Sequence, residues 1–241
     1  MRVIVVKDYE ELSRKAAGIL ASQLILKPDS VLGLATGSTP VGTYEELVRL
    51  YKEGAVSFSN ATTFNLDEYY GLNPNNENSY FYFMNDNLFN HVDINKNNIH
   101  IPNGLAENIQ TECDLYEEAI NAEGGIDIQL LGIGRNGHIG FNEPDFKFEA
   151  ITHLVNLDED TINANSRFFN NIDEVPKQAI SMGIKTIMHS KKILLLACGD
   201  EKAHIVYDTV HGKITPELPA SVLQLHPDVI VIVDEQAAKY L

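Results

Sequence analysis

Apolar runs bounded by glycine or acidic residues recur along the 241-residue chain, with longer amphipathic segments between them. Runs rich in β-branched residues are typical of strands buried on both faces of a parallel sheet. They predict strands at 2–6, 31–35, 61–65, 127–134, 192–199 and 229–234. Apolar residues at helical spacing predict helices at 9–26, 43–54, 79–89 and 201–212. This alternation predicts an α/β fold, a doubly wound, Rossmann-like and mostly parallel sheet with helices on both faces.

The chain shows no internal repeat, low-complexity segment or Gly/Ser-rich linker, so a single domain over 1–241 is the simplest organisation. The net charge of -16 argues against nucleic acid or an anionic membrane as a partner, because the electrostatic field of a negatively charged protein repels phosphate groups. The two cysteines, Cys113 and Cys198, are expected to be reduced thiols of a cytoplasmic protein. No signal peptide and no membrane span are predicted.

Polar, glycine-containing or acidic segments follow four of the predicted strands. They read "ATGSTP" (35–40), "NLDEYYG" (65–71), "GRNGHIGFNEP" (134–144) and "CGDEK" (198–202). Ligands of open parallel sheets bind beyond the carboxyl ends of the strands. We therefore expect the four segments to meet at one site.

The segment around Gly37, Ser38 and Thr39 has two interpretations. In the structural one, it is a turn capped by Ser and Thr, with Pro40 opening a helix. In the functional one, it is a phosphate cradle made of backbone N–H groups and two hydroxyls. The G-K-[ST] ending of a Walker loop is missing, so a nucleotide triphosphate is not implied.

Asp67 and Glu68 follow the third strand, and adjacent acids are usually part of a solvated turn. A carboxylate at the carboxyl end of a strand nevertheless faces the expected cleft. Aromatic cover from Tyr69 and Tyr70 would raise its pKa and favour work as a general base.

A literal G-x-G-x-x-G spans residues 132–137 and matches the dinucleotide-binding string. That site needs a helix at the third glycine, whereas "HIGFNEP" follows, with Gly140 and Pro144. We expect a loop there that presents His138, with Asn136 and Glu143 nearby. A histidine paired with a carboxylate in such a loop indicates proton transfer, although a lone loop histidine is often structural. His138 and Glu143 supply too few ligands for a metal site.

Two cations complete the candidate site, Arg167 in "NANSRFF" and Lys202 in "CGDEKA". Either alone is unremarkable. In a chain with 34 acidic residues, cations that follow strands are good candidates to neutralise a bound phosphate.

Taken together, these segments resemble the glucosamine-6-phosphate deaminase (isomerising) family nearly end to end. The motifs that carry the resemblance are "ATGSTP", "FNLDEYYGL", "SYFYFM", "GIGRNGHIGFNEP", "ANSRFF", "CGDEKA" and "LQLHPD". The pair "FNLDEY" and "GHIGFNEP" is the most specific. The resemblance implies conversion of D-glucosamine 6-phosphate and water to D-fructose 6-phosphate and ammonia, in the cytosolic catabolism of amino sugars, without metal or nucleotide cofactor.

The resemblance also assigns roles to residues. Asp67 matches the base that moves a proton between C2 and C1, through an enolamine. His138 matches the acid–base group that opens the pyranose ring, and Glu143 matches the partner that holds its imidazole. Gly37, Ser38, Thr39, Arg167 and Lys202 match the phosphate-binding positions.

The chain departs from the family pattern at two places. Many members have aspartate where this chain has Asn136, so Asn136 is included among the catalytic residues on position alone. Long hexameric members activated by N-acetylglucosamine 6-phosphate continue further and carry basic residues where this chain reads "ITHLVNLDED". We therefore expect no such activation, and a monomer or small homo-oligomer.

Two alternatives stay open from the sequence. A 6-phosphogluconolactonase-like hydrolase would share the fold and a Gly-rich phosphate loop, but not the two specific motifs. A non-catalytic sugar-phosphate-sensing domain of a regulator would need neither Asp67 nor His138, and the chain has no helix-turn-helix segment or basic patch.

Overall fold

The computed structural model describes residues 1–169 and 171–241, except the side chains at 160, 164 and 168. The described part contains β1 (Arg2–Val6), β2 (Val31–Leu34), β3 (Thr62–Asn65), β4 (Asp67–Tyr69), β5 (Ile99–His100), β6 (Ile128–Leu131), β7 (His153–Asn156), β8 (Gln178–Ser181), β9 (Ile193–Ala197) and β10 (Val229–Asp234). Seven of these form a parallel sheet in the order β1-β10-β9-β6-β2-β3-β5. All six predicted strands are confirmed, and β5 adds an edge strand.

The helices are α1 (Tyr9–Leu26), α2 (Val41–Lys52), α3 (Tyr80–Asn87), α4 (Ile109–Ala122), α5 (Glu159–Asn165), α6 (Ile184–Met188) and α7 (Ala203–His211). The four predicted helices correspond to α1, α2, α3 and α7. The interpretation of Pro40 as the first residue of a helix is wrong by one position, because α2 begins at Val41 after Pro40. No side chain caps α2, so Ser38 and Thr39 are not its caps. Within the described chain, no helix is both long and apolar enough to cross a membrane.

The strands at the centre of the parallel sheet are buried along their whole length. Every residue of β2, β3, β6 and β9 is buried, as the continuous apolar runs predict. Helix α1 packs its small and leucine side chains against this layer, with Leu12, Ala16 and Leu20 fully buried. Burial of apolar area on both faces is the main force that holds such a sheet together.

The strand order reverses next to β2. From β2 the chain proceeds outward to β3 and β5, and it then returns to the other side of β2 to place β6, β9 and β10. Such a reversal opens a crevice at the carboxyl ends of the two strands that flank it. Here the crevice lies between the segments that follow β2 and β6.

A second, antiparallel sheet with the order β4-β8-β7 stands beside this crevice. In it Asp67 pairs with Ser181 and Tyr69 with Ala179. The backbone N–H of Met182 donates to the carbonyl of Leu66 at 2.8 Å, so β8 also holds the residue between β3 and β4. The stretch that holds Asp67 and Glu68 is therefore a short, buried strand and not a solvated turn.

Candidate active site

A pocket of about 920 Å³ lies beyond the carboxyl ends of β9, β6, β2 and β3, which are neighbours in the sheet. All four segments singled out from the sequence contribute to its wall. A fifth contribution comes from α5 and the short turn after it. The lining includes residues 35–39 after β2, Leu66 and Asp67 after β3, 132–136, His138, Gly140 and Phe141 after β6, Cys198, Glu201 and Lys202 after β9, and Thr161, Asn163, Asn165 and Arg167 from the α5 segment.

One side of the pocket is lined by the glycine-containing loop after β2. Gly37 has a φ of 92°, a left-handed conformation that favours glycine, and a Cβ added there would meet no atom within 4 Å. Gly37, Ser38 and Thr39 all line the pocket, and the open space beside Gly37 suits a phosphate cradle. A residue of α1 fixes the position of this loop, because the Tyr9 hydroxyl donates a hydrogen bond to the Ser38 carbonyl at 3.1 Å.

Lys202 brings a half-buried ammonium group to the same pocket. Its Nζ donates to the carbonyl of Ile133 at 2.7 Å. Burial lowers the pKa of Lys202, Glu201 opposes that change, and the neighbouring charges of Arg135 and Arg167 lower it further. Like charges that crowd one another in this way favour an anion between them. Three cations thus line a pocket of a strongly acidic chain.

Asp67 is buried, with 6% of its surface exposed, and lines the pocket from β4. Burial, and secondly the charge of Glu68, raise the pKa of Asp67 to about 8. Glu68 itself is engaged elsewhere, because it accepts hydrogen bonds from the backbone N–H groups of Tyr69, Tyr80 and Phe81 and so anchors the start of α3. Asp67 is therefore the acid of the pair that is available to a ligand.

The aromatic cover of the pocket differs from the expectation. The sequence predicts that Tyr69 and Tyr70 cover Asp67, whereas the aromatic rings that line the pocket are those of Tyr80 and Phe141. Tyr69 lies behind them, with ring centroids 4.7 Å from Tyr80 and 5.8 Å from Phe141. Tyr69 shares a face of β4 with Asp67, since residues two apart in a strand point the same way, but Tyr80 from the start of α3 and Phe141 from the loop after β6 reach the pocket instead. The sequence pattern does not reveal where those two segments pack.

The loop after β6 presents His138. Nδ1 of His138 lies 3.0 Å from Glu143 Oε2, and the same oxygen accepts from Asn136 Nδ2 at 2.7 Å. The other carboxylate oxygen accepts from the Thr161 hydroxyl of α5 at 2.6 Å. Burial alone would raise the pKa of Glu143, but these hydrogen bonds, that from His138 first, bring it below its ordinary value. Glu143 is thus a buried carboxylate that holds the imidazole in place.

The glycines of the G-x-G-x-x-G string serve this loop and no helix follows them. A Cβ on Gly134 would lie 2.5 Å from Nδ1 and 2.6 Å from Nε2 of His138, so the imidazole occupies the space a side chain would need. Gly137 has a φ of 87° and packs against Leu218. The next regular element after the loop is β7, which confirms that "HIGFNEP" stays non-helical.

Eight of the nine residues predicted for the site line the pocket, and the ninth, Glu143, stands behind His138. The sequence interpretation missed Arg135, Thr161 and Tyr80. Arg135 carried a usable signal, since it is a cation inside a loop already singled out. A threonine on a helix and a tyrosine at a helix start carry none.

Among the residues that the structure describes, no three histidine, cysteine, aspartate or glutamate side chains come close enough to hold a metal ion. Neither Cys113 nor Cys198 forms a disulfide. Cys198 lines the pocket, and burial raises the pKa of its thiol.

A buried acid, an imidazole–carboxylate pair and a cation-lined loop at the switch point of a doubly wound sheet define an α/β site for acid–base chemistry on an anionic ligand. The chain belongs to the family described as glucosamine-6-phosphate isomerases/6-phosphogluconolactonase, whose model matches residues 8–231.

Among curated proteins, the glucosamine-6-phosphate deaminase of Clostridium botulinum (strain Hall) is 64% identical over 241 residues, which is 100% of this chain and 99% of the relative. The glucosamine-6-phosphate deaminase of Clostridioides difficile (strain 630) is 61% identical, over 100% of this chain and 97% of the relative.

The solved structure of a monomeric glucosamine-6-phosphate deaminase matches with a TM-score of 0.97 and 51% identity, covering all of both chains. A 6-phosphogluconolactonase from Thermotoga maritima matches with a TM-score of 0.77 at 20% identity, over 97% of this chain and 99% of that one, and shares the fold.

The burial of Asp67 predicts a pH-dependent gain in stability from Asp67→Asn. The folded pKa of about 8 exceeds the ordinary 3.8, so the wild-type protein loses stability as the pH rises from about 4 to about 8. The variant cannot ionise and escapes this loss. We expect equal melting temperatures near pH 4 and a higher one for Asp67→Asn at pH 8, by about 2–4 °C per kcal/mol gained.

The matched control is Asp29→Asn, which removes an exposed carboxylate from the loop before β2. Thermal unfolding of both variants from pH 4 to 9 checks the prediction. A difference between Asp67→Asn and wild type that is constant over this range would contradict it.

Proposed function

We propose that this chain catalyses the isomerising deamination of D-glucosamine 6-phosphate to D-fructose 6-phosphate and ammonia, with all groups supplied by one domain over 1–241. The observation that carries the proposal is the pairing, in one pocket, of a buried Asp67 with a His138 held by Glu143. The full-length relatives that carry the deaminase name support it.

The phosphate end of the substrate is assigned to Gly37, Ser38 and Thr39, with Arg167 and Lys202 as counter-charges. The backbone N–H groups of the loop donate hydrogen bonds to the phosphate. Arg167 binds it through two parallel hydrogen bonds of its planar guanidinium, and Lys202 attracts it with a compact positive charge. Arg135, which shares the pocket and lowers the pKa of Lys202, joins this group. Anchoring at the phosphate fixes the sugar ring relative to the two acid–base groups.

Ring opening is assigned to His138. Its Nδ1 is occupied by Glu143, so Nε2 is the atom that exchanges protons with the substrate. It accepts the proton of the anomeric hydroxyl and delivers one to the ring oxygen as the C1–O5 bond breaks. Glu143 stabilises the imidazolium that forms between the two steps.

Isomerisation is assigned to Asp67. Its carboxylate removes the proton at C2 to form an enolamine and returns it to C1, which leaves an imine at C2. Water adds to this imine, and ammonia leaves. The raised pKa keeps Asp67 mostly protonated at neutral pH before substrate binds. The cationic amino group of the substrate favours the ionised form, so binding prepares the base.

The lactonase alternative is not favoured. The relatives above 60% identity are named deaminases, whereas the lactonase structures reach 16–20% and share the fold alone. Lactone hydrolysis also gives no role to a base at the C2 side of the ring. A non-catalytic sensing domain does not account for Asp67 and His138 in one pocket.

One coupled assay tests the function. Purified protein is given glucosamine 6-phosphate, and fructose 6-phosphate and ammonia are measured in parallel, with 6-phosphogluconolactone as the competing substrate. We expect both products in equal amounts, no lactone hydrolysis, and loss of turnover in Asp67→Asn. Lactone hydrolysis without ammonia release would reject the proposal.

The close packing of the His138 imidazole against Gly134 predicts that Gly134→Ala lowers activity more than stability. The backbone of Gly134 is not left-handed, so alanine fits the chain, but its Cβ displaces the imidazole. We expect kcat to fall by about 10–100-fold, since misplacement of a catalytic group by 1 Å has this effect. Steady-state rates and melting temperature are measured together.

The control is Gly18→Ala in α1, where an added Cβ meets no atom within 4 Å. It should retain the wild-type kcat. Wild-type turnover in Gly134→Ala would show that the position of His138 does not limit the reaction.

We further propose a cytoplasmic, monomeric enzyme without allosteric activation. The monomeric solved relative and the absence of Lys and Arg from 151–160 support this. The rate should depend hyperbolically on substrate and stay unchanged with N-acetylglucosamine 6-phosphate, while light scattering gives the mass of one chain, 26.8 kDa. A sigmoidal curve that the effector straightens, or a hexamer, would contradict the proposal.

A further inference from the structure

The hydroxyl of Tyr9, the first residue of α1, lies between the loop of residues 37–39 and the start of α2. It donates to the Ser38 carbonyl at 3.1 Å and accepts from the backbone N–H of Gly42 at 2.8 Å. One phenol group therefore ties together the two ends of the turn at 38–42, through which the chain enters α2.

The contact with Gly42 takes the place of a helix cap. The first N–H groups of a helix have no partner inside the helix, and no side chain next to α2 caps it. Tyr9 supplies the missing acceptor from another helix. The approach is close, because a Cβ on Gly42 would lie 3.1 Å from Cε1 of Tyr9. Glycine at position 42 thus leaves room for the ring, which fixes the hydroxyl relative to α2.

The contact with Ser38 orients a peptide group. The described backbone has no cis peptide bond, and in a trans peptide the carbonyl and the following N–H point in opposite directions. Thr39 lines the pocket, whereas Tyr9 does not. A Ser38 carbonyl that points to Tyr9 therefore directs the Thr39 N–H away from Tyr9, to the pocket side of the loop. Within the described residues, this N–H donates to no other backbone group.

A second tyrosine makes the same kind of contact at the start of the segment. The Tyr44 hydroxyl of α2 donates to the Ala35 carbonyl. Tyr44 is fully buried, so a substitution there also disturbs the core. Tyr9 is 37% exposed, so its hydroxyl can be removed with little loss of packing. Tyr9 is therefore the residue at which the orientation of the loop can be separated from the stability of the fold.

We propose that Tyr9 is a positioning residue for the anion, whose hydroxyl holds the peptide between Ser38 and Thr39 so that the Thr39 N–H points at the bound phosphate. The inference deepens the proposed function and rests on it for the identity of the anion, the phosphate of an amino sugar. Without the hydroxyl the peptide is free to turn. A carbonyl oxygen, which only accepts hydrogen bonds, then competes with a donor for the place next to the anion.

The proposal is tested by removing the hydroxyl alone. Tyr9→Phe keeps the ring beside Gly42, and binding of inorganic phosphate is measured by calorimetry at an ionic strength held constant with potassium chloride. We expect the dissociation constant to rise about 3–10-fold, the effect of losing one hydrogen bond. An unchanged constant, or a wild-type protein that binds no phosphate, would overturn the proposal. The measurement needs no turnover, so it decides the inference even if ammonia release is absent and the proposed function falls.

Steady-state kinetics show whether the hydroxyl acts on binding or on chemistry. A contact that anchors the substrate equally before and during the reaction affects KM and not kcat. In Tyr9→Phe we expect KM for glucosamine 6-phosphate to rise by the same factor as the dissociation constant of phosphate, with kcat within about twofold of wild type and its pH profile unmoved. A lower kcat at unchanged KM would contradict the assigned role.

The Thr39 amide is observed directly by NMR. Protein labelled with ¹⁵N-threonine is titrated with inorganic phosphate, and the Thr39 signal is assigned by its displacement in Thr39→Ser. We expect phosphate to shift this signal in the wild-type protein, and to shift it less in Tyr9→Phe at equal saturation. A Thr39 signal that phosphate does not move would reject the proposed direction of the N–H.

Two further variants separate the hydroxyl from packing. Tyr207→Phe removes an exposed tyrosine hydroxyl of α7 that does not line the pocket, so phosphate should bind as in wild type. Tyr9→Ala removes ring and hydroxyl together. It should weaken phosphate binding as much as Tyr9→Phe does, with a lower melting temperature. Weaker binding in Tyr207→Phe, or in Tyr9→Ala but not in Tyr9→Phe, would show that the hydroxyl of Tyr9 does not position the anion.

Discussion

The parallel pairing of four neighbouring strands is the constraint on which the rest of the structure depends. β9, β6, β2 and β3 lie side by side and run in one direction, so their carboxyl ends share one edge of the sheet. Each strand is wholly buried, and the hydrophobic layer keeps the four ends at fixed spacing. Most of the candidate acid–base and anion-binding groups lie in the segments that directly follow these strands, which limits how far they can move.

The small antiparallel sheet adds what the parallel sheet cannot provide. Asp67 needs burial to raise its pKa, and a loop at the sheet edge would leave it in water. As part of β4, it is covered by pairing with β8, and Glu68 beside it is engaged by the start of α3. Burial of an acid without a cation partner is unfavourable for stability, so the raised pKa of this candidate base is accompanied by a local loss of stability.

The parts of the fold that sequence predicts are those with local signals. Six strands and four helices follow from apolar runs and helical spacing, and the four polar segments follow from where those strands end. Helix α4 was also open to prediction, because Asn108 caps it and Cys113, Tyr116 and Ile120 share one buried face. The pairing of β4, β7 and β8 was not, since three or four residues far apart in the chain carry no common pattern.

The same division holds inside the candidate site. His138 and Asp67 stand out by residue type and by position after a strand. The hydrogen bond from Thr161 to Glu143 depends on where α5 returns to the pocket, which no short stretch of sequence encodes. The glycine string shows the opposite error, in which a strong local pattern is overruled by the residues that follow it. Its second glycine, Gly134, is required by the ring of His138 rather than by a pyrophosphate.

The contrast between a strongly acidic chain and a cation-lined pocket has a kinetic consequence. A phosphorylated molecule that approaches from a distance meets the field of a body with a net charge of -16 and is repelled. Within one Debye length of the pocket, about 8–10 Å, the attraction of Lys202 and its neighbouring arginines outweighs this repulsion. Added salt screens the long-range repulsion more than the short-range attraction. Moderate ionic strength therefore favours capture, opposite to the behaviour of enzymes that steer anionic ligands with a positive surface.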